Sequence, residues 1–462
     1  MYSRKNKAAQ KRSFKWIFAS AIILTVFCAC STGSLDSGLK KEQLVTFASP
    51  WTSPYKADPG HPYHVVNGEG EHLLILNKTA WAYFACADPE GVLQRAKAQG
   101  VNMIRVCLEG TPYFEQLKMD CWPWGGTREN PDYSTYNEAY WDEVERRVRM
   151  AGEHGIGIDL SVYFTLSRKA EQLPYQQEYW AYTLKRLSKY ANLFTWEIMN
   201  EYLGSESFQD SAGWFFAKND PWLRPVITSD GTTDDAAWPQ KPWMGMAIVH
   251  TCTGSTDAHD LYDWYLAVAR NSRSHGKPAF NNESGREIRH RNDDPVHRRK
   301  QAWVWYSAGC HWTWHSWEGC EGIDDPDYRG PGQEYMKPVT DFFRSIPFWK
   351  MNPNFTVFQS DSPGIFPVTL TDPSRNVSVV YLCSRRTGQT VSGLTAKVRL
   401  PNGKYTITFI NPADLQVIGT TELTSASLGR TMDLAVPGFT DDMALRIEMT
   451  EKQARTVIKG TL

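Results

Sequence analysis

The chain has 462 residues, 41% hydrophobic and 22% charged, which excludes a disordered protein and fits a barrel of about 250 to 350 residues with a smaller partner domain. Six of its 50 Lys and Arg residues, and none of its 51 Asp and Glu residues, precede Cys30, so the remainder carries 44 basic against 51 acidic side chains. That balance gives no basic field to attract nucleic acid.

Residues 1–30 read as an export signal. Arg4, Lys5, Lys7, Lys11, Arg12 and Lys15 make a basic stretch, and Trp16 to Ala29 an apolar run of 14 residues, too short to span a bilayer as a stable helix. The run ends in Phe27-Cys28-Ala29-Cys30, followed by Ser31-Thr32-Gly33-Ser34. This resembles a bacterial lipoprotein signal, although Phe27 and Cys28 are unusual in one. The resemblance implies cleavage before Cys30 and lipidation of that cysteine. It also implies export to the outer membrane, on its periplasmic or cell-surface face, with the lipid as the only membrane contact. Cleavage without lipidation is the alternative. Residues 31–55, rich in Ser, Thr and Gly, read as a tether.

A strand–helix alternation then begins. Leu73 to Phe84 reads as a first strand and Pro89 to Gln99 as a helix stopped by Gly100. Val101 to Leu108 is the second strand, Tyr136 to Glu153 an amphipathic helix stopped by Gly155, and Ile156 to Phe164 the third strand. A helix over Gln176 to Tyr190 leads to a fourth strand, Leu193 to Asn200. Val226 to Ser229 is the fifth and Met246 to Cys252 the sixth. Asp260 to Arg273 is a helix, Pro278 to Asn282 the seventh strand, Val296 to Ser307 a helix, Cys310 to Trp317 the eighth strand and Gln333 to Ser345 a closing helix. Eight strands, mostly each followed by a helix, predict a (β/α)8 TIM barrel over 56–350. A doubly wound open sheet would show a Gly-rich phosphate turn after the first strand, and none is present.

Over 351–462 period-two alternation takes over. Tyr405, Ile407 and Phe409 share one strand face, just after the turn signal Pro401-Asn402-Gly403-Lys404. With Val377 to Cys383, Ala396 to Leu400, Met432 to Val436 and Ala444 to Met449 they predict a small antiparallel β-sandwich, making the fold α/β with an all-β addition. Seven cysteines follow Cys30: Cys86, Cys107, Cys121, Cys252, Cys310, Cys320 and Cys383. Export permits disulfides, but the odd number and irregular spacing favour buried small apolar residues, with Cys310 and Cys320 the candidate pair. No Cys-x2-Cys or His/Cys cluster argues for zinc, and neither metal nor cofactor is expected.

In a parallel barrel the chemistry sits at the C-terminal ends of the strands. The fourth strand ends in Asn200-Glu201 and the seventh in Asn282-Glu283. A carboxylate at such a place is costly unless hydrogen-bonded or used. Strands four and seven face each other across the mouth, so the two Glu side chains can flank one bond. Glycoside hydrolysis asks for that arrangement: one neutral acid for the leaving oxygen and one carboxylate for the anomeric carbon, with separated pKa values. The 19 Trp, 21 Tyr and 20 Phe supply core, or flat faces that stack on sugar rings.

These residues resemble clan A of the retaining barrel glycoside hydrolases. The resemblance implies that Glu201 is the acid/base, Glu283 the nucleophile, Asn200 a contact to the sugar 2-hydroxyl and Arg105 a partner of the nucleophile, its fork keeping Glu283 ionised. On the eighth strand alternation puts Trp312 and Trp314 on one face, so one or both point into the barrel, Trp314 foremost. His311 and His315 bind sugar hydroxyls or pack. Trp81, His250, Asp230 and Tyr163 complete the candidate substrate-binding set, with packing or capping as the bland reading. Cys252 stands where the clan often has a Tyr beside the nucleophile, a departure that leaves that role unfilled. Trp122, Trp124 and Tyr133 wall off a pocket or line a cleft.

The layout also resembles the apiosidase-like barrel hydrolases, through Leu76-Asn77-Lys78-Thr79-Ala80-Trp81, Arg298-Arg299-Lys300-Gln301-Ala302-Trp303, and Leu400-Pro401-Asn402-Gly403-Lys404-Tyr405 with Asn411-Pro412. Their C-terminal sandwich carries a collagen-binding label in related chains, but nothing here would recognise collagen. The expected partner is an oligosaccharide or polysaccharide of plant or host origin. A catalytically inactive glycan-binding protein and a transglycosylase with the same Glu pair are the competing readings.

Overall fold

The computed structural model describes residues 43–47, 50–110, 118–201, 204–231, 234–251, 261–285, 293–316, 330–426 and 431–452. Cys30 with the signal, Cys252, Trp317 and Cys320 lie outside them.

Eight parallel strands form the barrel: β1 (Leu76–Thr79), β2 (Met103–Cys107), β3 (Gly157–Tyr163), β4 (Leu193–Met199), β5 (Val226–Ile227), β6 (Ala247–His250), β7 (Ala279–Glu283) and β8 (His311–Trp314). They pair in the order β6-β7-β8-β1-β2-β3-β4-β5. A parallel bridge from Val226 to Met244 and the Gly245 N–H to Val226 carbonyl bond close the ring between β5 and β6. The connecting helices are α1 (Pro89–Ala98), α2 (Glu138–Glu153), α3 (Gln176–Leu187), α4 (Glu206–Asn219), α5 (Leu261–Ser274), α6 (Pro295–Ser307) and α7 (Met336–Arg344). Polar side chains start several of them: Asp88, Asn137, Ser205 and Asp294 each accept a backbone N–H of the first turn, a favoured way to satisfy those orphan donors.

Several expected elements change. The first strand is shorter than Leu73 to Phe84, because Trp81–Phe84 turn into a 3-10 helix. Helix α4 was not anticipated. It carries Gly213 in its middle, where an added Cβ would fall 2.2 Å from the Trp243 ring, so close packing there requires the helix-weakening residue. A hairpin of Trp124–Gly126 with Pro131–Tyr136 fills the segment after β2. Cys310 is a free, buried thiol that lies within reach of the Ala269 and Ala308 carbonyls, as expected of a buried small apolar residue and not of the candidate pair with Cys320, which lies outside the described residues.

The floor of the barrel is apolar. Met103, Phe194, Ile227, Ile248 and Phe280 come from different strands yet form one cluster with Ile75, capped by Trp51 and Tyr55. Side chains of strands around a ring can meet only in the lumen. Trp51 donates to the Gly155 carbonyl at 3.1 Å and lies where a Cβ on Gly157 would be, 2.1 Å from that position.

The C-terminal region is a sandwich of antiparallel sheets. Its strands are β9 (Ile365–Thr371), β10 (Val377–Ser384), β11 (Thr395–Val398), β12 (Gly403–Ile410), β13 (Val417–Ser425), β14 (Met432–Ala435) and β15 (Asp442–Lys452). The large sheet runs β9-β10-β15-β12-β13, with Asn352–Pro353 at the β9 edge, and the small one is Phe358–Gln359, β11 and β14. Val380, Leu382, Ile407 and Leu445 pack inside the sandwich. Val379, Tyr381 and Cys383, on the opposite face of β10, join the barrel core, with Tyr381 stacked on Trp303 of α6.

Candidate active site

Arg105 of β2 organises the mouth. It is fully buried, and its guanidinium donates to Glu197 Oε2 (2.9 Å) and Oε1 (2.5 Å), Glu283 Oε2 (3.0 Å), Asn200 Oδ1 (2.7 Å) and Ser229 Oγ (3.2 Å). Trp81 lies against the same cation, its ring centre 4.5 Å from Arg105 Cζ, and packs on Phe164. A buried cation needs this saturation, because removing it from water is expensive unless every donor is answered. The surrounding carboxylates outweigh the burial and raise the Arg105 pKa, so the charge is permanent.

Glu197 and Asp159 form a second tier beneath the mouth. Ser229 Oγ donates to Glu197 Oε1 (2.8 Å) and accepts the Glu201 N–H (3.1 Å). The Thr195 hydroxyl donates to Asp159. Burial first, and then the Glu197 charge, push the Asp159 pKa up against the pull of Arg105.

Glu201 sits at φ 50°, a left-handed conformation that costs a non-glycine residue about 1–3 kcal/mol and tends to be kept at functional sites. Its side chain is 25% exposed, whereas that of Glu283 is 7% exposed. His250 stands between them, its Nδ1 3.3 Å from Glu201 Oε1 and 3.8 Å from Glu283 Oε2. An irregularity in the β6–β7 register sets His250 opposite Glu283. Burial depresses the His250 pKa, but the charge of Glu283 and the hydrogen bond to Glu201 outweigh it, so the value lies above the usual one. One oxygen of each Glu and a His250 nitrogen all lie within 4.8 Å of one another. Asp230 is close enough to feel both His250 and Glu201. Its pKa is raised by burial, opposed by the Gly231 N–H and His250, with Glu201 adding to the rise.

Thus Glu201, Glu283, Asn200, Arg105, His250, Trp81 and Asp230 come together. Three other candidates do not. Trp312 and Trp314 share a face, but the outer one. They pack with the barrel–helix core, and Trp314 Nε1 donates to the Pro331 carbonyl at 3.1 Å with Arg298 of α6 over its ring. The inner face of β8 belongs to the residues between them: Thr313 accepts from Asn77 at 3.2 Å, and His315 Nδ1 lies 3.9 Å from Glu283 Oε1. Tyr163 packs on Tyr179 and Phe208, and its hydroxyl accepts from Trp180 at 3.0 Å, which ties it to α3 and α4. Trp122, Trp124 and Tyr133 pack on one another.

Sequence reasoning missed Glu197, Asp159 and Ser229. Their signal was available: each is a polar residue in or just after an apolar strand, and such groups need buried partners. Arg298 was also missed as a support. It donates to the Gly285 and His315 carbonyls, pinning the ends of β7 and β8.

Among the solved structures that share this fold are two glycoside hydrolases. One is a glycoside hydrolase family 5 protein from Bacteroides vulgatus, 16% identical, with 86% of this chain and 92% of that chain covered at a TM-score of 0.64. The other is named a glycoside hydrolase, is 15% identical, and is matched over 88% of this chain and 99% of its own at a TM-score of 0.67. No curated protein matches the chain. Residues 61–350 match the profile described as apiosidase-like, catalytic domain, and with more than half of its length inside that match the chain belongs to the apiosidase-like family of glycoside hydrolases.

Proposed function

We propose that the protein cleaves an O-glycosidic bond in a plant or host glycan by double displacement with retention, using Glu201 as acid/base and Glu283 as nucleophile. The observation that carries this is the approach of the two carboxylates, the nearest oxygens of which lie within 4.8 Å with His250 between them, a close approach that supports the shorter of the two known separations. Retaining enzymes hold the pair about 5–5.5 Å apart, while inverting enzymes leave about 6.5–9.5 Å for a water. The asymmetry of the pair supports the roles. Glu283 is nearly buried and takes a hydrogen bond from Arg105, which favours a persistent carboxylate. Glu201 is the more open and can exchange a proton with solvent.

In the first step Glu201 gives its proton to the leaving oxygen as a Glu283 oxygen bonds to the anomeric carbon, and the C–O bond to the leaving group breaks. In the second, Glu201 takes a proton from water, whose oxygen attacks the same carbon and releases Glu283. Asn200, its amide oxygen held by Arg105, keeps its nitrogen to donate to a sugar hydroxyl. Lipidation at Cys30 would place this chemistry at the outer membrane; intact mass of the exported protein tests it, and an unmodified Cys30 rejects it.

The deciding experiment follows product anomers by NMR during hydrolysis of aryl glycosides and plant polysaccharides, with Glu201→Gln and Glu283→Gln as controls. Retention and loss of turnover in both variants are expected. An inverted first product, or full activity in either variant, rejects the reading.

A further inference from the structure

At the closed end of the barrel, opposite the mouth, a second constellation of potential ligands stands outside the catalytic reading. Asp58 and His61 lie on the turn joining the short strands Lys56–Ala57 and Val65–Val66. The turn is tight: the His64 N–H donates to the His61 carbonyl at 2.9 Å, and the Asp58 N–H to the His64 carbonyl at 3.0 Å. His72 comes from the segment just before β1 and bridges back to Val66. One carboxylate oxygen, Asp58 Oδ2, lies 2.8 Å from His61 Nδ1 and 2.7 Å from His72 Nε2. A single oxygen therefore faces two imidazole nitrogens brought together from different parts of the chain.

The trio is held in place and borders a cavity. His72 is held face to face on Trp349, with ring centres 4.9 Å apart and planes 7° off parallel, so its nitrogen is aimed. His72 lines a cavity of about 80 Å³ together with His64, Phe348 and Trp349. His64 is 2% exposed, and both of its ring nitrogens lack a hydrogen-bond partner. The other carboxylate oxygen, Asp58 Oδ1, accepts the Gly60 N–H at 2.7 Å, which fixes the orientation of the carboxylate and leaves Oδ2 to the two imidazoles.

We propose that Asp58, His61 and His72 form a site for a divalent transition metal of the zinc class, which would tie the segment under the barrel floor to the base of β1. Two imidazoles and a carboxylate are a borderline nitrogen–oxygen donor set that suits zinc, with a fourth position for water. Ligands about 2.0–2.1 Å from a tetrahedral ion are about 3.3 Å from each other, so the trio must open by about half an ångström. His61, whose side chain is 39% exposed, can supply that movement. The spacing of the three residues matches no familiar zinc motif, which is why the sequence alone gave no sign of it.

The test uses the exported full chain, stripped with chelator and titrated with zinc, bound metal being measured by elemental analysis after gel filtration. One zinc per chain is expected at about 10 µM protein, with Tm raised by about 2 °C or more. His72→Ala and Asp58→Asn should abolish uptake. His61→Ala should weaken it at least tenfold while keeping the metal-free Tm, which guards against a variant that fails to fold. Glu201→Gln/Glu283→Gln should leave uptake intact, because those residues and His250 form the other possible ligand trio among the described residues. No uptake by the unaltered chain overturns the proposal, and so does uptake that survives His72→Ala and His61→Ala or disappears in the Glu201/Glu283 variant.

Discussion

The two ends of one lumen are built from the same strands by opposite rules. At the floor, Met103 of β2, Ile227 of β5 and Ile248 of β6 meet in an apolar layer. Two residues further on, each strand or its immediate continuation supplies a polar group to the mouth: Arg105, Ser229 and His250. Side chains two apart in a strand share a face, so one step up the barrel exchanges hydrophobic packing for charge. The floor is held by area removed from water, which is indifferent to direction. The mouth is held by one guanidinium whose donors each have a particular acceptor, so its cost and its geometry are the same fact.

Breaking the mouth should therefore hurt twice. Arg105→Met leaves Glu197 buried without its cation and Glu283 without its fixed donor. Removing one partner of a buried ion pair costs about 3–5 kcal/mol, and loss of a positioned donor at the proposed nucleophile should lower kcat by about 10²–10³-fold. Denaturant melts and steady-state kinetics check both; a variant with unaltered kcat would remove Arg105 from the chemistry. Breaking the floor should hurt once. Phe194→Ala opens a cavity in the apolar layer and should cost about 3–5 kcal/mol of stability, with kcat of the folded fraction unchanged. A kcat falling with stability would mean the two layers are mechanically coupled.

How much of this was legible in the sequence follows from the same contrast. Asn200-Glu201 and Asn282-Glu283 could be read because they end apolar runs, where a carboxylate stands out. Glu197 and Asp159 are embedded in such runs, where a single polar residue does not mark a strand end. The error on β8 has a different cause. Parallel strands of a barrel are buried on both faces, so alternation groups Trp312 with Trp314 but gives no sign of which group faces inward. Only a long-range partner fixes that phase, as the bond from Asn77 to Thr313 does here. In the sandwich, β13 was missed because it is a largely exposed edge strand, Val417–Ser425, where burial imposes no apolar alternation. The strands that were read, such as β12, have one face in the sandwich core.

A smaller effect should appear at the rim, where Glu109 follows β2. It is fully buried and accepts the Phe164 and Leu166 N–H groups at 2.5 and 2.7 Å, stapling the loop after β3. Burial raises its pKa to about 7, against the pull of those two bonds. A carboxyl with a raised folded-state pKa holds its proton longer in the folded chain than in the unfolded one. Stability should then fall as pH rises from about 4.5 to 7, by about 3 kcal/mol from this group, and level off above that. Glu109→Gln should flatten this slope in thermal melts. An unchanged slope would show that the staple is ionised throughout.

The smallest effect tests the inner and outer faces of β8 directly. Trp314→Phe keeps an aromatic ring under Arg298 and loses the bond to the Pro331 carbonyl, so it should cost about 1–2 kcal/mol of stability and leave kcat/KM within twofold. His315→Ala, its neighbour in sequence but on the face of Glu283, should do the reverse, lowering kcat/KM by about tenfold through the loss of an imidazole near the proposed nucleophile. Because α6 pins the end of β8 through the His315 carbonyl and not its side chain, truncation should leave the strand in place. If Trp314→Phe instead removed activity without touching stability, the outer face of β8 would have to reach the sugar, and the separation between packing and chemistry drawn along this strand would fail.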